Sequence, residues 1–387
     1  MTHVGIGTLP RLVARTREIS GGQDLLDALG DDGFAWLSGD DGFVTDGCAA
    51  RVPTTEALAV LETIAHERAA GTPRRVGPRA VGALPFTASE SGSLVIPAVI
   101  VLRDGDGRTW QTNIGPAPTR ELRVTARTPR VVRVAPGNNG HWRGMVDKAL
   151  ADINGGRLEK VVLSRVVEVE ADEPFDRRAA LATLRREQSG CVVYADHDFL
   201  GASPELLVRR RGRSIECRPM AGTGDDPERL ERSPKDAREH QVVVDAIRDI
   251  LHGRGCETEA TGPVVARFAH VAHLATTIRG TLRDDTSALD LALALHPTPA
   301  VGGWPTADAL ALIEALEPHE RGRYAGPCGW LDASGDGEFI VALRCAEFEG
   351  TTARCYAGAG IVAGSDPDSE WCETEAKLRP MLRALTP

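Results

Sequence analysis

Two stretches of the sequence place a pair of carboxylates in the first turns of a helix. One stretch carries Asp236 and Glu239, the other carries Glu370 and Glu373, and in each a capping residue and a proline precede the pair. Side chains three positions apart lie on one helical face. Capping and the helix macrodipole are sufficient to explain either pair alone. Four carboxylates facing each other would repel unless a hard cation such as Mg²⁺ lay between them.

Two other residues have the chemistry of a base and an acid. Lys160 opens the strand-like segment KVVLSR, where alternation puts Lys160, Val162 and Ser164 on one face. A desolvated lysine ammonium loses its proton more readily and can act as a general base, although an edge-strand lysine also discourages aggregation. Glu205 lies between a Gly-Ser-Pro turn and an apolar strand. A buried carboxyl there can donate a proton, whereas a solvated turn carboxylate cannot.

An anion site is indicated by residues near the end of the chain. Arg344 interrupts the apolar run IVALRCA, and a buried arginine needs either a ligand carboxylate or a structural ion pair. Gly358 and Gly360 follow in the next strand, where glycines let backbone N–H groups approach an anion or simply allow a bend. His273, within HLATT, is by itself typical of a hydrogen-bonded core histidine.

Composition excludes some classes of function. The 387 residues carry a net charge of -10, which argues against a duplex-binding protein because phosphate neutralisation needs a basic face. The longest apolar run, 94–102, is far shorter than the ~20 residues that cross a bilayer. The first residues do not have the pattern of an export signal, so we expect a cytoplasmic protein. The eight cysteines are scattered, as free thiols are.

Lysine is scarce in this chain. Only four lysines are present among 45 basic residues, at Lys148, Lys160, Lys235 and Lys377. Arginine has therefore taken most surface positions, and the lysines that remain are candidates for roles that a guanidinium cannot fill.

Hydrophobic periodicity predicts strands and helices in succession. We expect helices at 55–69, 142–154, 177–188, 234–254 and 367–385, and strands at 81–86, 94–102, 160–169, 191–196, 206–210, 214–219, 338–348 and 352–362. The Pro- and Arg-rich stretch 113–137 is the one plausible boundary. This order indicates an α+β protein, with antiparallel sheet covered by helices.

Ten ordered segments together resemble the chorismate-utilising enzymes, a family that includes isochorismate, salicylate, anthranilate and aminodeoxychorismate synthases. The segments are KVVLSR, GASPELL, RPMAGT, SPKDAREH, HLATTIRG, LHPTPAVGG, YAGPCGW, GDGEFIVALRCA, YAGAGIV and SDPDSEWCETEAKL, within 160–378. The resemblance implies one chorismate-binding α+β domain over 1–387, with a more variable part at 1–140 and a catalytic core at 141–387. It further implies two packed sheets, helices outside them and a central active-site cleft.

The resemblance also assigns roles to individual residues. Lys160 matches the base that activates water for attack at C2 of chorismate, and Glu205 matches the acid that protonates the departing C4 hydroxyl. Mg²⁺ is implied, with Glu239 and Glu373 as direct ligands and Asp236 and Glu370 holding metal-bound water. Substrate-binding positions are Arg344, Tyr324, Gly358, Gly360, Lys377, Gly222, Thr223 and His273. Lys235 matches no assigned role.

The segment 296–303 indicates the branch of the family. Its Pro-Thr-Pro-Ala300 form resembles dedicated isochorismate synthases, while anthranilate and salicylate members commonly have threonine at that position; Val301 replaces a frequent leucine. The resemblance implies a hydroxymutase that feeds siderophore, salicylate or menaquinone synthesis without a glutaminase subunit. Members of this branch are often monomers, and the sequence leaves the oligomeric state open. The alternatives are a salicylate synthase, which also eliminates pyruvate, and a non-catalytic chorismate-binding protein.

Overall fold

The structure is a computed structural model that describes residues 12–20, 24–87, 92–115, 130–135, 137–224, 226–268 and 271–386. Most of the predicted boundary stretch, at 116–129, lies outside the described residues.

Runs of strands are separated by helices along the described chain, and the predicted α+β class is confirmed. The strands β1 to β21 span Val13–Ile19, Phe34–Ser38, Asp41–Pro53, Ala65–Arg68, Arg79–Ala83, Ser93–Arg103, Thr109–Ile114, Val131–Ala135, Lys160–Ala171, Val192–Asp196, Phe199–Ser203, Leu206–Arg211, Ser214–Arg218, Met220–Gly224, Glu257–Arg267, Ala272–Thr281, Gly303–Trp304, Pro327–Asp332, Gly337–Val341, Cys345–Glu349 and Thr352–Val362. The helices α1 to α8 span Ala57–Thr63, Asn139–Asn154, Arg177–Glu187, Pro227–Glu231, Pro234–Gly253, Ala288–Leu295, Thr306–Leu316 and Pro367–Leu385.

The strands form one continuous curled sheet with two branches, where the sequence predicts two sheets. Strands β3 and β6 pair along most of their length. One branch leaves through β5 and runs over β18, β19, β12, β13 and β16. The other leaves through β2 and runs over β10, β11, β20, β21 and β9. A register shift between Cys48 and Ala50 marks a bulge in β3, and bulges bend strands, so one strand pair can serve both branches.

Helices cover the outer face of the second branch. Leu181 and Leu184 of α3 and Leu378 and Met381 of α8 are buried in one core cluster with alternate residues of β10, β11 and β21. The opposite face of β21 carries Tyr356, Gly358 and Gly360, since side chains alternate across a strand. Packing against α3 and α8 therefore fixes which residues of β9 and β21 face the opposite, inner side of the sheet.

The two acid-bearing helices begin where local capping chemistry predicts. Ser233 accepts a hydrogen bond from the Asp236 N–H, and Pro234 occupies the first turn of α5. Asp366 accepts from the Ser369 N–H, and a proline again occupies the first turn of α8. Proline suits a first turn because its missing N–H would have no intrahelical partner there.

Two predicted elements are wrong in part. The strand predicted over 338–348 breaks between β19 and β20, and Arg344 has φ of 50°. Hydrogen bonds to distant segments hold this break, since the Ala342 N–H donates to Gly326 O and the Ala202 N–H to Arg344 O. The helix predicted over 55–69 ends at Thr63, because residues 65–68 pair in parallel with β1.

None of the helices in the described ranges combines the length and the apolar character that crossing a bilayer requires.

A buried ion pair joins the second branch to the chain around residue 300. Arg321 and Glu317 have side chains only 3% and 2% exposed, with N···O contacts of 2.6 and 2.9 Å. Arg321 also donates to Val162 O at 2.7 Å and to Val301 O at 2.8 Å. Glu317 accepts from the Ser164 N–H at 2.7 Å. This pair therefore positions β9 and the loop that contains Val301.

We expect Arg321→Leu to reduce the free energy of unfolding by about 3–5 kcal/mol, because it leaves the Glu317 carboxylate buried without a counter-charge. Urea denaturation measures the effect. The matched control is Arg15→Leu, whose partner Glu67 is 62% exposed and which is itself 64% exposed, so that its loss is within about 1 kcal/mol. Equal losses in the two variants would show that the buried pair has no special role.

Candidate active site

A cavity lies between the two branches and the starts of α5 and α8. It brings together most of the residues that the sequence predicts for a site: Glu205, Gly222, Thr223, Glu239, His273, Ala300, Val301, Tyr324, Arg344, Gly358, Gly360, Glu373 and Lys377. The other three, Lys160, Asp236 and Glu370, do not line the cavity but adjoin residues that do. Predicted residues from ten separate segments thus meet in one place.

Lys160 is the first residue of β9 and is 1% exposed. Its Nζ lies 2.9 Å from Glu239 Oε1 on α5. Gly360 on the adjacent β21 gives this pair its space: a Cβ there would lie 2.6 Å from Glu239 Oε1 and 3.1 Å from Lys160 Cε. The lysine is therefore a buried group within the site, and not an edge-strand lysine facing solvent.

Glu205 lies in the turn between β11 and β12 and is 4% exposed. Burial raises the pKa of its carboxyl to about 7, although a hydrogen bond with the Met220 backbone and the charges of Lys160 and Lys377 act in the opposite direction. Removal from water penalises the charged form. Glu205 therefore carries a proton for much of the time near neutral pH, as a proton donor must.

Three of the predicted metal-site acids each contact one lysine. Glu239 pairs with Lys160 at 2.9 Å, Glu373 with Lys377 at 2.7 Å, and Glu370 with Lys235 at 3.2 Å. Burial and the charge of Glu373 together raise the pKa of Glu370 to about 7, against the opposing effect of Lys235. For Glu239 burial also acts to raise the pKa, but the Lys160 ammonium outweighs it and the pKa is lowered.

The donor chemistry of these acids fits a hard cation. Their ligand atoms are all carboxylate oxygens, which Mg²⁺ prefers over softer ligands. Glu370 and Glu373 repel each other, and a cation between them would offset that repulsion. In the described part of the chain, no three His, Cys, Asp or Glu side chains already converge as metal ligands. The magnesium site therefore stays a prediction.

Arg344 presents a buried guanidinium that lacks an acidic partner. Its side chain donates to His273 Nε2 at 3.1 Å and to Cys191 Sγ at 3.7 Å, and no carboxylate of the described residues lies within ion-pair distance. Burial and the charge of Arg344 hold the pKa of His273 well below its usual range, so its neutral ring can accept this bond. A φ of 50° is strained for a residue other than glycine, and such strain is typical of functional sites.

Tyr356 is a cavity residue that the sequence analysis missed. Its ring stacks on Tyr324, with centroids 5.2 Å apart and planes 13° apart. It precedes Gly358 and Gly360 at alternate positions of β21, so strand alternation was the available signal. Lys377 completes this wall by donating to Gly358 O at 3.0 Å. The other unpredicted lining residues are apolar or small: Val162, Pro204, Met220, Ala221, Leu343 and Ala357.

The predicted branch-determining residues lie beside these aromatic rings. Ala300 and Val301 line the cavity, and the Arg321 guanidinium holds the Val301 carbonyl from behind. Gly302 and Gly303 follow, and a Cβ on Gly303 would lie 2.3 Å from Lys160 O. The loop thus approaches the backbone of β9 closely, directly next to the predicted base.

Comparisons with known proteins agree on one family. The model of the family described as chorismate binding enzyme matches residues 88–386. The protein named MenF in Mycobacterium tuberculosis is 42% identical over 346 residues, covering 82% of this chain and 90% of that protein. Isochorismate synthase DhbC of Bacillus subtilis is 36% identical, covering 84% of each chain. The solved structure of MenF, the menaquinone-specific isochorismate synthase from Escherichia coli, has a TM-score of 0.82 at 26% identity and covers 97% of this chain and 95% of its own.

We expect Gly360→Ala to lower stability by about 1–3 kcal/mol, because the added methyl overlaps the Glu239 carboxylate and presses on Lys160. Thermal unfolding measures the loss. Gly144→Ala is the control, since Gly144 lies on α2 with nothing within 4 Å of an added Cβ, and alanine there is neutral or stabilising. A Gly360→Ala variant as stable as the control would contradict the tight contact.

Proposed function

The chain belongs to the family of chorismate-binding enzymes, and from this premise we propose that it is a magnesium-dependent isochorismate synthase. The observation that carries the proposal is a buried carboxyl, Glu205, with its pKa raised to about 7, on a cavity whose lining residue Glu239 contacts the buried lysine Lys160. A protein that only bound chorismate would need neither a base nor an acid there. The relatives named isochorismate synthases support the same assignment.

The reaction moves a hydroxyl between two carbons of the ring without net change in composition. Lys160, acting as the neutral amine, accepts a proton from water as the water oxygen bonds to C2 of chorismate. The ring double bond shifts, the C4–O bond breaks, and Glu205 donates a proton so that the hydroxyl leaves as water. One water is consumed and one is released. The base takes the proton of the attacking water, and the acid protonates the leaving hydroxyl.

Binding of the dianionic substrate is assigned to the cationic and backbone groups of the cavity. Arg344, without an acidic partner, is suited to hold a carboxylate through two parallel N–H···O bonds. Tyr324 and the backbone at Gly358 and Gly360 line the same cavity as Arg344. Glu239 and Glu373 would hold Mg²⁺ directly, with Asp236 and Glu370 orienting its water. When bound, Mg²⁺ would offset the charges of the acids and of the ring carboxylate.

The chemistry requires water and no ammonia, so we propose that the chain acts without a glutaminase subunit. Ala300 and Val301 line the cavity, and because the Pro-Thr-Pro-Ala300 segment resembles dedicated isochorismate synthases, we propose release after the first step rather than elimination of pyruvate. Siderophore and menaquinone routes use the same conversion, so this assignment holds for either.

Incubation of the purified protein with chorismate and MgCl₂ should give isochorismate in a stable equilibrium with chorismate, and EDTA should abolish turnover. Proton NMR resolves both compounds, and a lactate dehydrogenase assay detects pyruvate. Salicylate with pyruvate would instead identify a salicylate synthase. Chorismate binding without any product would identify a non-catalytic binder.

The pH dependence of turnover should reveal the pKa of the proposed acid, Glu205. Only the protonated carboxyl of Glu205 can donate, so the rate should decline as pH rises through its pKa of about 7. Steady-state kinetics between pH 6 and pH 9 would measure the profile. Glu205→Gln should lose activity at every pH, because an amide cannot replace the donor. Glu67→Gln, a change at an exposed acid, should retain the wild-type profile.

A further inference from the structure

Lys235 has no part in the proposed reaction, yet it contacts the site. It lies in the first turn of α5, next to Asp236, and its side chain is 41% exposed. Its Nζ lies 3.2 Å from Oε1 of Glu370, which is 5% exposed and belongs to α8. This contact joins the two acid-bearing helices at their starts.

A lysine at this position opposes a local electrostatic preference. The first turn of a helix carries partial positive charge, so a cation there is disfavoured by the macrodipole. The chain also fills most of its basic positions with arginine. The neighbouring carboxylates Asp236, Glu239 and Glu370 supply the attraction that offsets the dipole, and each of them raises the pKa of Lys235, against the effect of burial. The lysine is therefore placed by the acids of the site.

The three lysine–acid pairs differ in how easily the lysine can leave. Lys160 is buried, and Lys377 is bound to both Glu373 and the Gly358 carbonyl. Of the three, Lys235 alone is well exposed, and its ammonium contacts only Glu370 among the described residues. A lysine ammonium is a point charge on a flexible stem, whereas an arginine fork holds a carboxylate in fixed geometry. Lys235 is thus the counter-charge that moves into water with least disruption.

We propose that Lys235 is a positioning residue that acts as an exchangeable counter-ion: it holds Glu370 and the start of α8 against α5, and it releases Glu370 when a divalent cation binds. The inference rests on the proposed function, which supplies the cation. Because the ammonium competes with that cation for Glu370, its removal strengthens cation binding while it destabilises the protein in EDTA. A lysine with only a structural role would destabilise both forms and would not strengthen binding.

The test compares Lys235→Met with Lys148→Met, a change at the lysine on α2, exposed and outside the site. Isothermal titration with MgCl₂ should give Lys235→Met a dissociation constant about three- to tenfold below wild type, a modest gain since a half-exposed charge is screened. Its melting temperature in EDTA should fall by about 2–4 °C, and saturating Mg²⁺ should remove most of the difference. Lys148→Met should match wild type throughout.

Lys235→Arg keeps the charge and should restore the wild-type melting temperature in EDTA without the gain in Mg²⁺ affinity. Weaker Mg²⁺ binding by Lys235→Met, or an affinity equal to wild type, overturns the counter-ion role. A wild-type protein that binds Mg²⁺ while Lys235→Met behaves identically refutes only this inference. A wild-type protein that does not bind Mg²⁺ refutes the metal in the proposed function as well.

Discussion

Repulsion between carboxylates confined in a nearly dry space is the constraint on which the site depends. Capping residues and prolines set where α5 and α8 begin, and the fold brings the acids of both starts to the same cavity. Such a cluster persists only when positive charge is supplied within a few ångströms. Lysine ammonium groups supply it here, each to one acid. The glycine at 360 is then required, because a larger residue would displace one of these pairs.

The sheet provides the rigid frame that this charge balance needs. Two branches diverge from β3 and β6, and the cavity lies where they face each other. Strand β9 carries the predicted base at its first residue and continues past Val162 and Ser164, both of which are tied to the Arg321–Glu317 pair. The loop with Ala300 and Val301 is held by the same arginine. One buried ion pair therefore holds both the strand that carries the proposed base and the loop that lines the cavity.

Local signals predicted much of this arrangement, and tertiary contacts decided the rest. The starts of α5 and α8 followed from capping residues and prolines, and the inward face of β9 followed from strand alternation. The break at Arg344 could not be predicted, because the hydrogen bonds that hold it come from Gly326 and Ala202, distant in sequence. Helices α6 and α7 were missed, although Ser287 and Asp290 form a capping box at the start of α6. The contact of Lys235 with Glu370 spans 135 positions and leaves no local pattern.

The scarcity of lysine has a practical consequence for attaching this protein to labels and surfaces. Of the four side-chain amines, that of Lys160 is buried, that of Lys377 is engaged by Glu373, and that of Lys235 is held by Glu370. Lys148 is exposed on α2, and its sequence neighbours on the helix include polar residues. Acylating reagents that select for accessible amines would therefore modify this side chain ahead of the other three. Coupling at Lys148 would leave the amine of the proposed base, Lys160, unmodified.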